Sequence, residues 1–130
     1  MIPPSTGRCP CGGASFLSCC GRFHRGDAEP SRAEQVMRAR YSAFAVGDAA
    51  YLAHTWHPDT RPRRIHLGDD VRWLRLDVLD TTGGDLLDVE GTVTFAAHHE
   101  RGGSRGVVEE RSLFRRHHGR WVYVGADLAP

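Results

Sequence analysis

The residues best suited to chemistry stand together near the start of the chain. Arg8-Cys9-Pro10-Cys11-Gly12-Gly13 is followed, after Ala14-Ser15-Phe16-Leu17-Ser18, by Cys19-Cys20-Gly21, and these are all four cysteines of the sequence. Thiolates are soft ligands, and structural zinc takes four nitrogen or sulfur donors in a tetrahedron, with Zn–S near about 2.3 Å. Gly12 and Gly13 tolerate positive φ, so the chain can reverse after the first pair and bring the second pair back to the same point. Disulfide frameworks spread cysteines to staple distant segments; a tight cluster points to metal instead. A redox bond between the neighbours Cys19 and Cys20 would close a strained ring. The expectation is one structural zinc ion on Cys9, Cys11, Cys19 and Cys20, bound with release of protons. His24, four residues after Cys20, is the alternative fourth ligand.

Other candidates for chemistry depend on the elements that carry them. Ser31, with Glu34 three residues later, reads as a capping box for a helix from about Arg32 to Val46, stopped at Gly47. At 100° per residue, Ala33, Val36, Met37, Tyr41, Ala43 and Phe44 share one face, Arg40 lies near its centre and Arg38 points away. A buried guanidinium needs partners; the alternative is that Arg40 reaches past the core edge to water. Asp48 caps a shorter helix through about Thr55, which Pro58 prevents from continuing.

Beyond Pro62 the periodicity changes to two. Val71–Leu79 reads as a strand with a bulge near Trp73-Leu74, and Thr81–Asp85 as a turn. The run from Leu87 to Ala97 alternates most clearly. Residues 101–106 form the next turn, Val107–Arg116 a strand, His118-Gly119 a tight turn and Trp121–Gly125 the last strand. Short turns make an antiparallel meander. Helices first and a curved sheet afterwards give an α+β domain with the helices on one sheet face.

On the third of these strands Val108, Glu110, Ser112 and Phe114 share a face, which puts Glu110 inside, with Arg40 as its natural partner. Paired, Glu110 is ionised and structural. Unpaired, it is a candidate general acid or base. His57, after Trp56, either stacks on a neighbour and caps carbonyls or lines a pocket mouth. Tyr41 and Trp73 read as core aromatics or as a ligand cradle. His98-His99, His117-His118 and the basic run Arg115-Arg116 with Arg120 read as solvated hairpin residues.

The total charge of a 130-residue chain, +1, gives no electrostatic argument for nucleic acid. No apolar run is long enough to span a membrane, and Met1-Ile2-Pro3-Pro4 lacks an export pattern, so a cytoplasmic protein is expected. Every basic residue other than histidine is arginine, a composition that suggests a GC-rich bacterial genome.

The cysteine segment resembles a SEC-C motif, the zinc element also found at the end of the SecA translocation ATPase. Met37–Phe44, Asp48–Leu52, Thr55-Trp56-His57-Pro58, Glu110–Phe114 and Gly119–Tyr123 extend the likeness to nearly the whole chain, which resembles the YchJ family of uncharacterised bacterial proteins. That resemblance implies a zinc motif over residues 1–24 joined to a nuclear transport factor 2-like domain over 31–127. It also implies a cone with a cavity at its wide end. The leading expectation is a zinc-containing module that binds a protein partner or a small ligand. The rival is an isomerase or hydro-lyase using Glu110 or His57. The partner's identity and the oligomeric state are left open, a homodimer being one option.

Overall fold

The computed structural model describes residues 7–68 and 70–127. The first six residues of the expected zinc motif therefore lie outside the described residues. Three helices precede four strands: α1 (Cys20–His24), α2 (Ala33–Val46), α3 (Ala49–His54), β1 (Val71–Gly83), β2 (Glu90–Arg101), β3 (Ser104–His117) and β4 (Arg120–Ala126). The strands form one antiparallel sheet in the order β1-β2-β3-β4. This is the expected meander, curved over helix α2, which packs against β1, β2 and β4.

Helix α2 starts differently from the expectation. Arg32 is its N-cap, and Gln35, not Glu34, reaches back: its Oε1 accepts from the backbone N–H groups of Ser31 and Arg32. Gln35 is three residues after the true cap, so the capping geometry holds with its frame moved by one. Glu34 pairs with Arg38 one turn on. The helix buries two faces. Val36, Met37, Arg40 and Tyr41 face the sheet side, as the apolar phase required. Ala39 and Ser42 are also buried, under the segment of α1. Short α3 is capped as expected, by Asp48 Oδ1 accepting from Tyr51 N–H at 3.0 Å.

The expected bulge in β1 falls between Trp73 and Arg75. The β1–β2 hairpin ends differ. Pairing continues to Gly83, and β2 begins at Glu90, so Thr81 to Gly83 are strand and Leu87 and Val89 are loop. Leu87 is 96% exposed. One local and one long-range feature impose this. Gly91 packs so closely on Gly84 that a Cβ there would lie 2.5 Å from Gly84 Cα, which fixes the hairpin's end. Arg116 then pins the loop, donating to the carbonyls of Asp88 (2.9 Å) and Leu86 (2.6 Å) while lying over the Trp121 ring. Arg116 is thus not a solvated turn residue, and Arg115 pairs with Glu90 at 3.0 Å. The core is centred on Trp121, Phe114, Leu52, Val36 and Val93. Trp121 Nε1–H is satisfied by Ser31 O at 3.0 Å.

Candidate metal centre and cavity

The four cysteine sulfurs converge. One ligand atom from each of Cys9, Cys11, Cys19 and Cys20 lies within 4.8 Å of the others, and Cys11 Sγ is 3.6 Å from Cys19 Sγ. A tetrahedron with Zn–S of about 2.3 Å has edges of about 3.8 Å, so the donor set and its spacing suit such an ion. Local sequence explains the convergence. Cys9 N–H donates to Gly13 O and Gly12 N–H to Cys9 O, closing the first turn. Phe16 O accepts from both Cys19 and Gly21, and α1 starts at Cys20, which turns the second pair inward. A Cβ at Gly13 would lie 2.7 Å from Cys19 Sγ, so the bare glycine leaves room for that thiol.

The rest of the chain supports the cluster. Cys9 Sγ lies 3.5 Å from Ser42 Oγ, and Arg38 Nη1 donates to Cys11 O at 3.0 Å. Hydrogen bonds from Cys11 and Cys20 hold Cys9 far below the usual thiol range. Cys20, donating to Cys11 and Cys9, is pushed well up, and burial raises Cys19 to about 11. Sulfurs this close share protons until a cation compensates their charge. His24 stands apart from the four: its Nε2 is 2.8 Å from Ala39 O and its Nδ1 3.6 Å from Asp48 Oδ2. The geometry therefore favours Cys20 as the fourth donor.

The second feature is a cavity of about 320 Å³ between α2 and the sheet. Arg40, Tyr41, Trp73, Glu110 and Ser112, the residues singled out from the sequence, all line it, together with Phe44, Trp56, Phe95, Phe114 and Tyr123. His57 does not. It is joined to β4 through its N–H, which donates to Tyr123 O at 2.8 Å, and its ring packs 4.9 Å from His117.

Arg40 and Glu110 are both on the wall, but Glu110 is half-buried and not inside as expected, and the two do not form the expected ion pair. Arg40 is 5% exposed. Its Nη1 donates to Leu52 O and Thr55 Oγ1, each at 2.9 Å. Its guanidinium carbon lies 4.7 Å from the Trp56 ring centroid and 4.5 Å from that of Tyr123. Burial lowers its pKa to about 10, which leaves it charged at neutral pH. Glu110 Oε2 accepts instead from Ser112 Oγ–H at 2.5 Å and Tyr123 Oη–H at 2.8 Å. Tyr123 thus stands between the two charges, its ring against one and its hydroxyl on the other. Burial and the Glu110 charge both raise its pKa.

Trp56 and Tyr123 are the wall residues against Arg40 that sequence reasoning missed. Residues 55–57 add a short parallel bridge to β4, with Tyr123 N–H donating to Thr55 O at 2.8 Å. That contact brings both rings to Arg40, and no periodicity within either segment encodes it. The one available signal was that Tyr123 alternates with Trp121 on the inward face of the last strand.

A family model described as the YchJ middle NTF2-like domain matches residues 32–126. The chain belongs to the YchJ family. A UPF0225 protein of Streptomyces coelicolor is 50% identical to this family member over 121 residues, covering 92% of this chain and 94% of the relative. A UPF0225 protein of Corynebacterium glutamicum is 48% identical over 122 residues, 93% and 97% of the two chains. The solution structure of a SEC-C motif containing protein from Rhodopseudomonas palustris superposes with a TM-score of 0.82 at 30% identity, over 95% of this chain and 99% of the other. The crystal structure of a SEC-C motif containing protein from Psychrobacter arcticus shares the fold, with a TM-score of 0.77 at 20% identity over 99% and 88%. Among the described residues no helix is long and apolar enough to cross a membrane.

Proposed function

We propose that this YchJ-family chain is a cytoplasmic small-ligand-binding protein whose SEC-C element carries one structural zinc ion on Cys9, Cys11, Cys19 and Cys20. The observation that carries the ligand-binding reading is the cavity. Its volume of about 320 Å³ is at the low end of small-molecule sites, and its wall is largely aromatic with a few placed polar groups. The zinc element sits on the opposite face of α2, through the Cys9–Ser42 contact and Arg38. Its role in this reading is to fix that helix, and a protein partner is a secondary possibility for its outer surface. Zinc is the preferred metal because four thiolates in a closed, mostly buried set suit it and leave no open position for catalysis.

The test is a fragment screen followed by the indole N–H resonances of Trp56 and Trp73. Binders should shift these two and leave buried Trp121 nearly unchanged. Filling the cavity with Ala97→Phe should abolish those shifts in a protein that still unfolds cooperatively. Binding that survives the filled cavity would refute the reading.

A second reading rests on the Tyr123–Glu110–Ser112 hydrogen bonds. A carboxylate beside a tyrosine hydroxyl in a cavity is a workable base and acid for an isomerase or hydro-lyase. Glu110→Gln would then keep ligand affinity and lose turnover.

A further inference from the structure

Arg40 and Glu110 are the charged residues among those lining the cavity, and the protein treats them unequally. The Arg40 charge is partly compensated within the structure, although burial still lowers its pKa to about 10. Its guanidinium lies against two aromatic rings, an attractive arrangement for a cation. It also donates to Leu52 O and Thr55 Oγ1 at the carboxyl end of α3, where the helix dipole favours positive charge. Glu110 has only two neutral hydroxyl donors, both on Oε2, and no cation within ion-pair distance among the described residues. Around it the rings of Tyr41, Phe44, Trp73, Phe95 and Phe114 line the same space.

Glu110 is half-buried, so its carboxylate is an open, ion-pair-free acceptor on an aromatic cavity wall that a cation can complete. Anions are opposed by Glu110, and apolar molecules leave it unpaired. A cation gains a charge-assisted hydrogen bond at the carboxylate and ring faces around its body. We propose that the cavity selects a small organic cation: an amine carried on an apolar or aromatic body, with the ammonium on Glu110 and the body among the five rings. Arg40 opposes this ligand less than a cation at ion-pair distance would, because the Tyr123 side chain holds the guanidinium and the Glu110 carboxylate apart. The proposal rests on the ligand-binding reading and specifies the ligand class of that site.

The experiment compares three probes of nearly equal size at neutral pH: benzylamine as the cation, benzyl alcohol as the neutral isostere and benzoate as the anion. Affinities are read from the Trp56 and Trp73 indole resonances. The expected result is that benzylamine binds at least about tenfold more tightly than benzyl alcohol, with benzoate weakest. Glu110→Gln should remove that preference, bringing benzylamine to within about threefold of benzyl alcohol, while benzyl alcohol binding changes little. Equal binding of all three, or a preference for benzoate, would overturn the cation assignment and leave a ligand site standing. A benzylamine preference that survives Glu110→Gln would also overturn it. Binding of none of the three would overturn it together with the ligand-binding reading.

Discussion

If Tyr123 separates Arg40 from Glu110, removing one charge should not be felt strongly by the other. Arg40→Met deletes two hydrogen bonds from a charged donor, about 1.5–3 kcal/mol each. It also deletes two ring contacts, about 0.5–2 kcal/mol each. Against this stands relief from burying a guanidinium that is 5% exposed, a cost of several kcal/mol. Thr55 Oγ1 still donates to Tyr51 O, so one of the two abandoned acceptors keeps a partner. The net loss should be about 2–4 kcal/mol. Glu110→Gln keeps an acceptor for Tyr123 and Ser112 and loses only the charge assistance, about 1 kcal/mol. The decisive quantity is the interaction energy of the double-mutant cycle, measured by urea denaturation with shared slopes. With Tyr123 between the charges it should be below about 1 kcal/mol. A directly paired buried couple would give about 3 kcal/mol or more, since each single change would strand the other charge. A coupling of that size would refute the separation of the two charges by Tyr123.

Three further outcomes follow from the geometry. Metal analysis should find about one zinc per chain, retained in His24→Ala and lost in Cys20→Ser, because His24 is engaged by Ala39 O and lies outside the sulfur cluster; equal retention in both variants would exclude Cys20 as a ligand. Cys19, raised to about 11, and Cys20, raised further, hold their protons at neutral pH when no metal is present. Loading with zinc in weak buffer should therefore release protons, and affinity should fall as pH is lowered, as a competition assay with a chromophoric chelator will record. Trp121→Ala empties the most buried large side chain and frees Ser31 O, so thermal or urea unfolding should show a loss of about 3–5 kcal/mol.

Much of this protein was legible from local pattern. The cysteine spacing, with glycine after the first pair, specified the convergence of four sulfurs because all the necessary chain reversal occurs within a dozen residues. The phase of α2 placed Arg40 and Tyr41 on the cavity side, and strand parity placed Glu110 and Ser112 opposite them. The slipped alternation at Trp73 marked a real bulge. Each of these is a short-range geometric rule, so sequence order carries it.

What tertiary structure alone decided are the contacts between distant segments. Leu87 and Val89 alternate like strand residues, yet they sit in a loop because Gly91 meets Gly84 and Arg116 claims the loop carbonyls. Ala39 and Ser42 lie off the apolar face of α2 yet are buried under the sulfur-bearing element, since small residues carry little hydropathy signal and still allow close approach. Charge balance was the largest such decision. Sequence could place Arg40 and Glu110 on one wall. Which groups satisfy them depended on the bridge between residue 56 and β4, which sets Trp56 and Tyr123 against the guanidinium. A buried charge takes whatever partners the packed fold brings within reach, and that is settled by three-dimensional proximity.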